Sequence, residues 1–124
     1  MTKKEKELLS KDLCARLYYG IKGLHRGQVH ILKTMDWGYD RMSIKVDGYD
    51  AWFPIDSFKP YLRPMSSMTS DERFEYDELQ HFYTHGLDFN VDEVDWLNFH
   101  HFDYRGLIEK GLAIEAPEEM YKSE

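Results

Sequence analysis

Near Gly20 the spacing of apolar residues changes from a helical repeat to a two-residue alternation, and this change limits the chain to folds that lay a helix on a sheet. Leu9, Leu13 and Leu17 recur every four residues with Leu8 alongside, so Lys3 to Tyr18 reads as an amphipathic helix stopped by Gly20. Further on, Met42, Ile44 and Val46 alternate with Arg41, Ser43 and Lys45, the pattern of a half-buried strand. Val29 to Met35 suggests a preceding strand, with Gly38-Tyr39-Asp40 as the turn between them. Asp47-Gly48 is a two-residue hairpin signal leading into Tyr49 to Phe53. Gly20, Gly23 and Gly27 flank these segments and read as turn residues. The result is a small antiparallel meander of three or four strands, and so short a sheet needs the helix on one face to be stable.

The second half reads differently. Pro54, Pro60 and Pro64 punctuate an irregular link with at most a turn of helix around Ile55 to Phe58. Thr69 with Glu72 three residues on is a capping box that opens a helix to about Thr84, and Asn90 with Glu93 repeats the device. Tyr104 to Lys110 reads as a third short helix capped by Gly111, and Leu112 to Glu115 as a last strand before Pro117. Residues 1–117 are therefore expected to form one α+β domain: an N-terminal helix, the meander, then two or three helices and a short terminal strand. Residues 118–124 form a charged tail, expected to be loose.

With 124 residues, of which 42% are apolar, the chain can bury a core without disulfide or metal support. Cys14, the lone cysteine, excludes an internal disulfide and points to the cytoplasm; its place mid-helix suggests a small core or boundary residue. No apolar run is long enough to cross a bilayer, so no membrane partner is expected. Charge is uneven. Residues 1–34 hold eight basic against three acidic groups, residues 35–64 four against five, and residues 65–124 four against fifteen. The rear half at −11 repels phosphate backbones, which argues against a nucleic-acid partner.

Two constellations could carry chemistry. His81 and His85, four residues apart on the Thr69 helix with Glu78 one turn back, could chelate a metal ion with help from His100, His101 or Asp103. Phe82 stands where a zinc hydrolase would carry Glu beside the first His. Alternatively, Asp103 could orient a neighbouring histidine for general-base work, with Arg105 holding an anion. The plainer reading has Asp103 capping the turn at Tyr104, Phe99 and Phe102 in the core, and Arg105 paired with a carboxylate. Nucleophile elbows and phosphate-cradling glycine loops are absent from the sequence. No cofactor is expected. Trp37, Tyr39, Tyr49 and Trp52 cluster around the hairpin turns and are the residue types that anchor protein interfaces.

Lys59 to Thr69 (KPYLRPMSSMT), Trp96 to Lys110 with the following GLAIEAP, and Lys11 to Lys22 (KDLCARLYYGIK) resemble blocks of a family of small uncharacterised bacterial proteins of gut anaerobes, associated with prophages or other mobile elements. The blocks cover somewhat under half of the chain. Tyr18-Tyr19 replaces a Pro-Tyr, and Gly23 to Ser57 has no counterpart in the pattern. The resemblance implies no activity and transfers no catalytic residue. Sequence alone thus favours a non-catalytic, cytoplasmic protein-binding or accessory role with an unidentified protein partner. A metal-binding protein or metal-dependent enzyme built on the C-terminal histidines is the other reading.

Overall fold

The computed structural model describes residues 1–36, 43–82 and 91–121, apart from the side chains of residues 81, 82 and 91. Its elements run α1 (Lys3–Arg16), β1 (Lys22–His25), β2 (Gln28–Asp36), β3 (Ser43–Val46), β4 (Phe53–Pro54), β5 (Phe58–Leu62), α2 (Ser70–Phe82), α3 (Val91–Phe99) and β6 (Ile114–Glu115). The fold is α+β, as the change of period requires.

A capping box opens α1: the Thr2 hydroxyl accepts from the Glu5 amide at 3.1 Å, and the Glu5 carboxylate accepts from the Thr2 amide at 2.8 Å. One turn of 3₁₀ helix follows, and Gly20 at φ 70° reverses the chain into β1. Leu9 and Leu13 are fully buried in one cluster with Ile21 and with Ile44, Phe58 and Leu62 of the sheet. Each contributes about 2 kcal/mol through burial. Cys14 is exposed, because the buried face of α1 is occupied instead by Ser10, Asp12 and Arg16.

The sheet is larger than the expected meander. Six strands lie in the order β4-β3-β2-β1-β5-β6, antiparallel throughout except for β6, which pairs parallel to β5. The expected irregular link contains β5, whose residues alternate between buried Phe58, Pro60 and Leu62 and more exposed Lys59 and Tyr61. Pro60 obscured that alternation, yet a strand admits proline where the ladder needs no donor.

The helix expected over Tyr104 to Lys110 is a set of hydrogen-bonded turns. Asp103 takes up the amides of Leu107 and Ile108, and the Leu112 amide returns to the Leu107 carbonyl. Gly111, at φ 76°, ends the turns as a C-terminal cap would. This coil buries Leu107, Leu112 and Ala113 in the main core. Behind it, Tyr76, Leu97 and Phe102 form a second cluster with Met65, Met68, Trp96 and Tyr104.

Part of the tail expected to be loose is held to the sheet. The Tyr121 hydroxyl accepts from the Lys22 amide at 2.9 Å and donates to the Tyr61 carbonyl at 2.8 Å, and its ring stacks on His101. Residues 122–124 lie outside the described residues.

Candidate functional site

A cleft of about 560 Å³ opens between the start of α2 and the segment that runs from β6 toward Tyr121. His100, which lines it, is tilted at 4.4 Å against the Trp96 ring, and Trp96 in turn stacks between the buried Tyr76 and Phe102, at 5.6 Å from each. Arg63 leaves the end of β5 and lies over the Phe102 ring. It then forks onto Glu72, Nη1 to Oε2 at 2.7 Å and Nη2 to Oε1 at 2.6 Å. Glu72 also accepts from the Thr69 amide while the Thr69 hydroxyl accepts from the Glu72 amide, so the expected capping box is present and serves the fork as well. Bonding to Arg63, opposed in part by burial, holds the Glu72 carboxyl down at about 2.

Among the described residues the lining carries five carboxylates, Asp71, Glu72, Glu75, Glu115 and Glu118, against a single guanidinium already spent on Glu72. His100 Nδ1 lies 3.5 Å from Glu72, but burial lowers the His100 pKa, so the ring is neutral at pH 7. The Ser66, Ser67 and Thr69 hydroxyls also line the cleft, with no general base bonded to them. The arrangement is built to accept hydrogen bonds and positive charge.

Among the described residues, His100, His101 and Asp103 do not converge on one point. His100 faces Trp96 and Glu72, whereas His101 lies against Tyr121 with ring centroids 3.8 Å apart. Asp103 is occupied by backbone amides, as in the plainer reading. His85 and the His81 side chain lie outside the described residues, and among those residues no group of three or more metal-ligating side chains forms. Arg105 pairs with a carboxylate, that of Asp12. Phe102 is fully buried, but Phe99, expected in the core, is 60% exposed, its ring edge-on to Tyr19 and His100.

His101 carries a measurable consequence. Its backbone sits at φ 63°, its Nδ1 is buried without a partner, and burial, reinforced by Arg16, brings its pKa down to about 4. The unfolded chain, with an ordinary histidine near 6.5, binds a proton at a pH where the folded chain does not. Stability contributed here is complete above that value and is lost as pH falls from about 6.5 to about 4. A loss of about 3 kcal/mol is expected over that window. His100 adds a change of the same sign. In His101→Asn, whose side chain tolerates the left-handed backbone, urea denaturation across this window is expected to show a flatter pH profile. An unchanged profile would remove His101 as its source.

At the hairpin end, Trp37 and Tyr39 lie outside the described residues. Tyr49 and Trp52 are 40% and 46% exposed. The Tyr49 ring leans on His25, His30 and Phe53, while the Lys45 ammonium sits 4.9 Å from the Trp52 ring. Arg63, Glu75, Glu115 and Glu118 were not singled out from the sequence, because nothing in local spacing brings the end of β5, α2 and β6 together. The one available signal was the acidic excess of residues 65–124.

Comparison with protein-family models, curated proteins and solved structures finds no match to this chain.

Proposed function

We propose that this protein is a non-catalytic binding protein whose acidic cleft receives a cationic segment of a partner protein. The observation that carries this reading is the charge of the lining: five carboxylates, with the only guanidinium already engaged by one of them. A lysine or arginine side chain entering there meets acceptors on α2 and on β6, and Pro64, Pro117 and Tyr121 of the lining offer apolar surface to its methylene stem. The −11 of residues 65–124 extends the same sign around the cleft and would steer a basic partner toward it. The cleft is preferred to the hairpin aromatics because Tyr49 and Trp52 already pack on this chain's own His, Phe and Lys side chains. We place the protein in the cytoplasm, where a chain with one exposed thiol is at home.

The test uses a fluorescent lysine-glycine repeat peptide as the probe, with anisotropy read at low and at physiological salt. Wild type is expected to bind it. The variant Asp71→Lys/Glu115→Lys/Glu118→Lys, altered at exposed positions only, is expected to bind about tenfold or more weakly. Reversal of Lys3 and Lys4 on α1 to glutamate should leave binding at least as strong. Equal binding by wild type and the cleft variant would defeat the proposal.

A further inference from the structure

A second constellation, remote in kind from the cleft, lies across β1 and β2. In the antiparallel register Gly23 faces His30 and His25 faces Gln28, so the alternation of side chains puts His25 and His30 on one face as diagonal neighbours. His25 Nδ1 lies 3.2 Å from the Ser57 carbonyl and His30 Nδ1 lies 3.2 Å from the Asp47 carbonyl. A carbonyl only accepts, so in each ring the hydrogen sits on Nδ1, and the neutral ring keeps a bare lone pair on Nε2. Both Nε2 atoms are buried and neither has a partner, with His25 as a whole fully buried. One orphaned imidazole nitrogen is a defect; two on adjacent strands, each with its other nitrogen anchored to backbone, form a pattern. It is the arrangement in which metal-ligating histidines are held: Nδ1–H fixed by a carbonyl, Nε2 presented to the ion.

The ring spacing agrees. The His25 and His30 centroids are 5.9 Å apart with the planes at 72°. Two imidazoles sharing one ion at about 2.0–2.1 Å place their centroids about 5–6 Å apart. Tyr49 closes the group at 5.9 Å from His25 and 5.3 Å from His30, and Phe53 lies 4.4 Å from His25. We infer that His25 and His30 form a two-histidine site for a d¹⁰ transition-metal ion, copper(I) ahead of zinc(II). The choice rests on charge and coordination number. Tyr49 and Phe53 enclose the two imidazoles, and the Arg26 guanidinium stands 4.7 Å from the Phe53 ring. The Asp47 carboxylate, 3.3 Å from His30, sits at Nδ1 and not at Nε2, so a singly charged ion that accepts two nitrogens is penalised least. This site shares no residue with the cleft or with the C-terminal histidines.

The experiment takes tag-free protein and titrates it with copper(I) under anaerobic conditions against a chromophoric copper(I) chelator, and separately with zinc(II) against a zinc indicator. One equivalent of copper(I) is expected to be withdrawn from the chelator by wild type and by His101→Gln, with about tenfold or greater weakening in His30→Gln. Zinc(II) held more tightly than copper(I) would overturn the choice of ion. Because His25 is buried and its variants risk unfolding, the second readout is the imidazole nitrogen NMR spectrum of wild type. Both Nε2 resonances should begin at lone-pair positions and shift together on adding one equivalent of metal. Neither ion bound, undiminished binding by His30→Gln, or Nε2 resonances that do not move would overturn the site.

Discussion

Gly23→Ala is expected to cost about 3 kcal/mol and to lower the melting temperature by about 10–15 °C. A strand glycine replaced by alanine ordinarily gains stability, since the unfolded chain loses freedom and the strand gains a side chain. Here the sign reverses. Gly23 lies in β1 opposite Pro60 of β5, and a Cβ built on it would stand 2.2 Å from Phe58 Cζ, with both Cε atoms within 2.6 Å. Phe58 is fully buried, so its ring cannot swing into solvent to make room. The partner substitution Phe58→Leu shortens that side chain, and Gly23→Ala/Phe58→Leu should cost less than the sum of the single changes. Thermal melts of the three variants decide the matter; a melting temperature raised by Gly23→Ala would mean that the ring does not rest on the glycine.

Asp12→Asn is expected to destabilise the fold by about 3–5 kcal/mol. Asp12 and Arg16 are both fully buried one turn apart on α1, with Arg16 Nε 2.8 Å and Nη2 3.2 Å from the carboxylate. Arg16 Nη2 also donates to the Phe102 carbonyl at 2.6 Å, and Arg105 Nε approaches the same carboxylate at 3.2 Å. One anion thus serves two guanidinium groups and fastens α1 to the coil after α3. An amide of nearly identical shape would leave the fully buried Arg16 without a countercharge in a dry site, where the uncompensated charge dominates, while Arg105 keeps some contact with solvent. Replacing the pair together, Asp12→Leu/Arg16→Met, should cost markedly less than Asp12→Asn plus Arg16→Met taken singly. Guanidinium chloride titrations would show it; a loss under about 1 kcal/mol for Asp12→Asn would mean that water reaches the pair.

These two positions also mark the boundary of what the sequence could convey. Features that depend on near neighbours were legible: the Leu9 and Leu13 face of α1, the alternation through Ile44 and Val46, the Asp47-Gly48 turn with Gly48 at φ 84°, and the Thr69–Glu72 box. Periodicity shows which face of an element is apolar. It does not show what that face will meet. Gly23 read as a turn residue alongside Gly20 and Gly27, and those two do have positive φ, but Gly23 sits within a strand because the Phe58 ring lies over it. In the sequence Arg16 counts only within the basic excess of residues 1–34; its burial depends on Asp12 one turn away and on the Phe102 carbonyl 86 residues away, which no local spacing reports.

The sites follow the same rule. The capping box located Glu72 but not Arg63, which sits at the end of β5 within the proline-punctuated stretch that read as an irregular link. The adjacent pair His100 and His101 drew attention by spelling, whereas His25 and His30 meet through the register of two strands, which no single-strand pattern reports.

The clasp at Tyr121 bears on how the chain acquires its structure during synthesis. β1, emerging early, finds β2 within a few residues, but its other neighbour is β5, and the Lys22 amide is taken up only by a hydroxyl 99 positions further on. On a ribosome, the first half can form its hairpins while the edge that will receive β6 and Tyr121 is still open. That edge is the interval in which a nascent chain is most exposed to pairing with a neighbour's strand. The sheet is therefore closed only once β6 and Tyr121 have emerged, and slowing translation of the segment that carries them should lengthen the period of vulnerability without altering the final fold.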